Sequence, residues 1–243
     1  MLDIIDITNG IMTTIFMTFC VATGVRLIHR YFKHDRKEFI YFGIAWLGLV
    51  MQHYPVIVSF YGILLTGHAL DLFWYCFANC FIPFFVVIGV YAFSEIVYKE
   101  HQKRILKYGL ILAIINFIAF LYFTLFDRSV LAYLSGAINL RYRLFTLLCL
   151  LGMVSVGIFT GIFFYRQTKD ANDTQIRAMG ILLSMGLFIF MAGEILDAVL
   201  PLNIINMVIS RFTLISGSAS YYFGFFPPKF ILRFIKNNRR FFK

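Results

Sequence analysis

The sequence predicts an all-α integral membrane protein, and three observations predict it: composition, the length of the apolar stretches, and the side on which the basic residues fall. Of 243 residues, 60% are hydrophobic and 14% charged, and the mean hydropathy is +0.81. Soluble domains hold ~25% charged and ~45–50% apolar residues. Thirty Phe and fourteen Tyr are more than so short a chain can bury away from water, so much of its apolar surface must face lipid. The net charge of +10 on so apolar a chain then points to a membrane surface and away from nucleic acid.

A helix needs about 20 mostly apolar residues to cross the hydrocarbon core, with every backbone group satisfied inside the segment. Seven stretches qualify, at about 4–27, 39–65, 72–97, 105–126, 144–165, 178–199 and 204–225. Their connections are short, so sequential neighbours run antiparallel in one membrane domain over residues 1–226, followed by a basic tail at 227–243. Pro55 and Pro83 fall inside the second and third stretches and should kink them. Charges follow the first apolar stretch instead of preceding it, so that stretch is expected to remain as a helix and not to be cleaved as a signal peptide.

Orientation follows from Lys and Arg, which concentrate in cytoplasmic loops. The first, third and fifth loops and the tail together hold 18 of the 22 basic residues, all on one side of a seven-span arrangement. The opposite side holds Asp3 and Asp6, a second loop without Lys or Arg, and Arg128, Arg141 and Arg143 in the fourth. The N-terminus is therefore expected outside and the C-terminus in the cytoplasm of a cell-membrane protein. Removing any one span would scramble the alternation.

Ionisable groups within a span are costly, so each is a functional candidate. Glu194 and Asp197 lie three apart near the outer end of the sixth span, on one helical face. Arg211 lies in the seventh, and helical rise puts Glu194 and Arg211 at similar depths of about 9 and about 12 Å. An ion pair from Arg211 to Glu194 or Asp197 is therefore expected, either as a structural clamp or as part of a ligand site. Gln52, His53 and Tyr54 in the second span and Asn79 in the third fall in the same outer half. Together they outline an outward-facing, partly polar cavity. Asp71, Trp74 and Tyr75 read as interface anchors, and Arg141 and Arg143 open the fifth span.

Gly157 and Gly161 form a GxxxG in the fifth span, and the small residues from Ser216 to Ser220 mark the seventh, so both are expected at close helix contacts; a homodimer through the two glycines is an open alternative. Cys20, Cys76, Cys80 and Cys149 all fall in spans, where small apolar packing is the default. No His or carboxylate follows them at zinc spacing, so neither metal nor cofactor is expected. In the tail, Lys229, Arg233, Lys236, Arg240 and Lys243 recur at steps of four and three beside Phe230, Ile231, Phe234, Ile235, Phe241 and Phe242. This is the pattern of an amphipathic helix on anionic lipid, with docking of a cytoplasmic partner as the alternative.

The segment from Tyr222 to Arg233, YFGFFPPKFILR, resembles the Gly-Phe-x-Pro-Pro boundary, followed by Leu-Arg, that closes the membrane sensor regions of some prokaryotic histidine kinases. The stretches from Arg30 to Lys33 and from Tyr41 to Gly48 look like the first loop and second span of seven-helix membrane proteins of archaea. The resemblance covers about 30 residues and implies a sensory or signalling module. Such kinases continue into a catalytic domain, whereas this sequence stops at Lys243, so a separate cytoplasmic partner is expected to carry the output. Retinal proteins need a Lys in the last helix, and there is none between Ile204 and Phe226. The Asp-Arg-Tyr and Asn-Pro-x-x-Tyr motifs of rhodopsin-like receptors are absent as well.

The leading expectation is a receptor-like sensor that binds a small molecule or lipid in its outer half. A small-solute permease is the alternative, because such folds use broken helices. A membrane-complex subunit ranks below it. A lipid enzyme has the least support, since the five His are dispersed and none pairs with another His or an Asp four residues on within a span.

Overall fold

Asp3 starts the first helix. Its carboxylate accepts the Asp6 N–H at 2.6 Å while the Asp6 side chain accepts the Asp3 N–H at 3.3 Å, a reciprocal capping box. The computed structural model describes residues 2–97 and 99–237. Its helical elements are α1 (Ile4–His34), α2 (Lys37–Leu49), α3 (Tyr54–Thr66), α4 (Leu72–Cys80), α5 (Ile82–Val97), α6 (Gln102–Phe126), α7 (Leu144–Thr168), α8 (Thr174–Val199), α9 (Ile204–Phe225) and α10 (Lys229–Asn237). Asp71, Asp173 and Asn203 cap α4, α8 and α9 by accepting backbone N–H groups, and Gly67, at φ 77°, closes α3.

Among the described residues, six helical stretches are long and apolar enough to cross a membrane: Ile4–Lys33, Lys37–Thr66, Leu72–Ile96, Lys99–Phe126, Leu144–Thr168 and Thr174–Val199. The chain is therefore a multi-pass, membrane-type helical bundle. α9, with 22 residues, matches them in length but carries Arg211 and a run of serines and is less apolar.

The second and third stretches are broken, each ahead of its proline. Pro55 has no N–H to offer the preceding turn, so the chain tightens there: His53 N–H bonds to Val50 O at 3.0 Å, and a single 3₁₀ turn over Met51–His53 joins α2 to α3. The break between α4 and α5 at Phe81 precedes Pro83 in the same way.

The fourth connection, which holds Arg128, Arg141 and Arg143, is ordered. It folds into a β-hairpin, β1 (Ala132–Leu134) against β2 (Leu140–Tyr142), antiparallel with Ala132 opposite Tyr142. Arg141 lies in β2 and Arg143 caps α7, so of the two only Arg143 stands at the opening of that helix. Ile138 at the tip is fully buried against Val56, Phe60 and Tyr75, which folds the hairpin down onto the bundle. Asp6 holds it from below through the Asn139 side chain at 2.6 Å.

α8 is the central helix, with 56% of its span buried, whereas the spans containing α6 and α7 are only 17% buried. α8 meets α9 along a seam of four glycines. A Cβ on Gly186 would fall 2.6 Å from the Tyr221 nitrogen, and one on Gly217 2.5 Å from the Phe190 nitrogen, with Gly193 and Gly224 nearly as tight. The backbones themselves are in contact, as in small-residue interfaces of membrane helices. Gly157 and Gly161 of α7 face α8, against Met191 and Phe188, and Gly161 O accepts the Ser184 hydroxyl at 2.8 Å. Within the chain, that face of α7 is therefore used for the contact with α8.

The core between the two ends is aromatic. Trp46 stacks on Tyr221 with ring centres 4.0 Å apart, surrounded by Phe42, Phe93, Phe164, Phe190 and Phe225. All four cysteines are free thiols. In α10, Ile235 is buried against Ala178 and Ile181 of α8, while Phe230 and Phe234 stay 68% and 59% exposed. The apolar residues of α10 share one side of the helix, and that side is divided between contact with α8 and exposure; Phe241 and Phe242 lie outside the described residues. Lys229, Arg233 and Lys236 are exposed; Arg240 and Lys243 lie outside the described residues.

Candidate functional site

At the end of the bundle where α1 begins, polar side chains from α1, the 3₁₀ turn, the hairpin, α8 and α9 converge, most of them buried. Asp6, Asn9 and Thr13 follow one another at steps of three and four, so they share one face of α1. The 3₁₀ turn directs Gln52 and His53 inward, where both are buried. Glu194 and Asp197 project from one face of α8, and Ser210 and Arg211 come from α9.

Two networks result. In the first, Gln52 Nε2 donates to Glu194 Oε2 at 2.5 Å, and His53 Nε2 lies 3.4 Å from Glu194 Oε1. The Tyr142 hydroxyl donates to Gln52 Oε1 at 2.9 Å, and Phe16 packs edge-on against the His53 ring. In the second, Arg211 Nη1 lies 3.1 Å from Asp197 Oδ2 and Nη2 donates to Asn9 Oδ1 at 3.1 Å. Ser210 also donates to Asp197, at 3.2 Å. Asn9 Nδ2 then donates to Asn139 Oδ1 at 2.7 Å, and Asn139 passes the chain on to Asp6. The Arg211 partner is thus Asp197, while Glu194 is held by the neutral Gln52 amide and by His53.

A cavity of about 50 Å³ lies between the networks, bordered by Asn9, Gln52, His53, Tyr142, Asp197 and Arg211 among others. It has room for a few water molecules or one very small ligand. Arg211 is only 4% exposed, yet its Nε has no hydrogen-bond partner and its Nη1 meets Asp197 by charge alone, outside hydrogen-bond alignment. Buried donors are almost always paired, which sets this guanidinium apart from the other polar side chains that border the cavity. Burial pushes the Tyr142 phenol up from its ordinary pKa, and the nearby Glu194 and Asp197 carboxylates add to this, so it remains a donor toward Gln52.

The structure brings Glu194, Asp197, Arg211, His53 and Gln52 together. Tyr54 points away and packs against the main core. Asn79 donates to the Tyr75 carbonyl at 2.8 Å and meets the Tyr142 phenol at the edge of the site. Asn9, Asn139, Tyr142 and Ser210 were not foreseen. The 6, 9, 13 spacing could have found Asn9, whereas nothing local marks Asn139 or Tyr142, which arrive by the fold of the hairpin. Arg141 secures that hairpin further by donating to Leu200 O at 2.7 Å. Among the described residues, no group of three or more His, Cys, Asp or Glu side chains is arranged to hold a metal ion.

Asn139 anchors this hairpin to the bundle. Asn139→Ala leaves Asp6 and Asn9 without their buried partner and should cost about 1–3 kcal/mol. Hydrogen exchange should accelerate over residues 132–142 before the rest of the bundle; unchanged protection there would show that Ile138 packing alone holds the hairpin.

No protein-family model, curated protein or solved structure matches this chain.

Proposed function

We propose that the chain is a receptor-like membrane sensor of seven spans, with α9 as the seventh and its N-terminus outside, that takes a small molecule at the Arg211 cavity. The observation that carries this reading is the buried guanidinium of Arg211, a residue bordering the cavity, whose Nε has no hydrogen-bond partner. Its chemistry calls for an acceptor oxygen on the ligand, and the small volume of the cavity favours a small polar molecule over a lipid headgroup. The sidedness rests on the placement of 18 of 22 basic residues in alternate connections and the tail.

A change at the cavity has a physical route to the opposite end. Arg211 and Ser210 sit on the same rigid helix as Tyr221, Tyr222 and Phe225, and α8 connects Glu194 to the α10 contact at Ala178 and Ile181. A cytoplasmic partner reading those helix ends would complete the signalling module that the resemblance to kinase sensor regions implies. The aromatic packing around Trp46, Phe190 and Tyr221 lies across the middle of the bundle and favours a sensor over a permease.

Thermal unfolding of the detergent-purified protein against a panel of small carboxylates, alcohols and amides tests the reading. A cognate compound at 100-fold over its Kd should stabilise the native protein by about 2.7 kcal/mol. Arg211→Gln should erase that increment. Stabilisation that persists in Arg211→Gln, or no compound that stabilises the native chain, would leave the Arg211 and Asp197 pair as a structural clamp.

A further inference from the structure

A second cavity lies at the opposite end of the bundle. Asn9 and Arg30 are 21 residues apart on α1, or about 31 Å along the helix, so this cavity sits one hydrocarbon thickness away from the first. Its volume is about 750 Å³, within the range of small-molecule sites.

Its wall is strongly basic. Arg26, His29, Arg30 and Lys33 recur at helical spacing on one face of α1, and Arg36 joins them across the turn at Asp35, which is left-handed at φ 52°. Three carboxylates are near: Asp35 in that turn, Glu38, which Arg36 engages at 3.3 Å, and Asp173, which is occupied in capping α8 through the Gln175 N–H. Of the residues that line the cavity itself, four are permanent cations and one, Asp173, is a carboxylate, so positive charge remains in excess on one concave surface. Like charges repel, and such a surface gains stability from a multivalent anion.

The arginines are also pre-oriented. Arg30 is sandwiched over the Phe39 and Phe226 rings at 4.8 and 4.9 Å and donates to Phe225 O at 2.6 Å. Arg26 lies over Phe226 and Tyr222 and donates to the Tyr222 hydroxyl. Stacking fixes the guanidinium planes while leaving other N–H groups free for the forked contacts that phosphate oxygens accept. The first turn of α8, with Gln175 and Ile176 in the wall, adds the positive end of a helix.

We propose that this cavity binds a phosphate-bearing anion at the membrane surface, supplied either as an anionic phospholipid headgroup or as a free phosphate compound. The aromatic floor of Phe39 and Phe226 and the exposed Phe230 and Phe234 of α10 nearby suit a ligand at the boundary of water and acyl chains. This site does not depend on the reading of the Arg211 cavity.

The full chain in neutral detergent should be titrated with short-chain phosphatidylglycerol in one arm and with glycerol phosphate and pyrophosphate in the other, using phosphatidylcholine as the neutral reference. Binding should saturate in at least one arm, and the responding arm identifies the source. Arg26→Gln with Lys33→Gln should weaken binding about tenfold or more, from two cations each contributing near the surface. Lys103→Gln with Lys107→Gln removes the same charge elsewhere and should change affinity less than about twofold by the same reasoning. Arg30 is left intact because it bonds the backbone, and the melting temperature of each ligand-free variant checks its fold. Equal weakening by both pairs, or no saturable binding in either arm, would overturn the proposal.

Discussion

Asp197→Ala is expected to destabilise the protein by about 3–5 kcal/mol, more than Arg211→Ala does, although the two residues form one ion pair. The asymmetry follows from burial. The Arg211 side chain is 4% exposed and the Asp197 side chain 27%. Removing the carboxylate strands a buried guanidinium with Asn9 as its remaining neutral partner. Removing the guanidinium leaves a carboxylate that water in the cavity can reach and that Ser210 still serves. The double variant should recover part of the loss, since no lone charge then remains buried. Chemical denaturation in mixed micelles measures all three. If Arg211→Ala proved the worse of the two, the cavity would be dry and the pair could not await a further ligand.

The second large effect is expected at the α8 and α9 seam. Gly217→Val and Gly186→Val each push a side chain into backbone atoms that already lie within 3 Å of where a Cβ would stand. No rotamer relieves that contact, so the helices must separate, at a cost of about 3 kcal/mol or more, at the upper end of overpacking effects. Gly152→Val is the control, because an added Cβ there meets nothing within 4 Å. The seam also sets the register that brings Arg211 to Asp197, so a surviving Gly217→Val protein should lose response at the first cavity as well. A variant as stable as Gly152→Val would mean that α8 and α9 approach less closely than described.

The two predictions concern one contact seen from opposite ends. Glycines let α9 lie directly on α8, and this closeness holds a charged pair at hydrogen-bond distance in a low-dielectric interior. The same register stacks Tyr221 on Trp46 between the two cavities.

Much of the fold is legible in the chain itself, because a bilayer imposes few solutions. Apolar runs of about 20 residues must be helices, prolines must interrupt them, and capping residues such as Asp173 and Asn203 mark their starts. The depth match of Arg211 with the carboxylates of α8 is legible too, since helical rise is constant. Which carboxylate it meets is not. Glu194 and Asp197 differ by three residues, or roughly 60° around the helix, and only the packing of α8 against α9 turns Asp197 toward Arg211. Glu194 instead meets Gln52 and His53, because the 3₁₀ turn rotates both inward.

The hairpin shows the limit most clearly. Residues 132–142 carry no strong strand signal, and their pairing rests on Ile138 entering a pocket made by α3 and α4 and on Asn139 reaching Asp6, more than 130 positions earlier. Spacing and composition alone determined that this is a multi-pass helical protein, with Glu194, Asp197 and Arg211 near one end and its basic residues in alternate connections. Tertiary structure alone decided which side chains share a cavity and that the GxxxG face meets α8. It likewise gathered Arg26, Arg30, Lys33 and Arg36 around one space. The reason is physical: secondary structure in lipid is set by local backbone satisfaction, whereas a site is set by rotations and registers between helices that distant contacts fix.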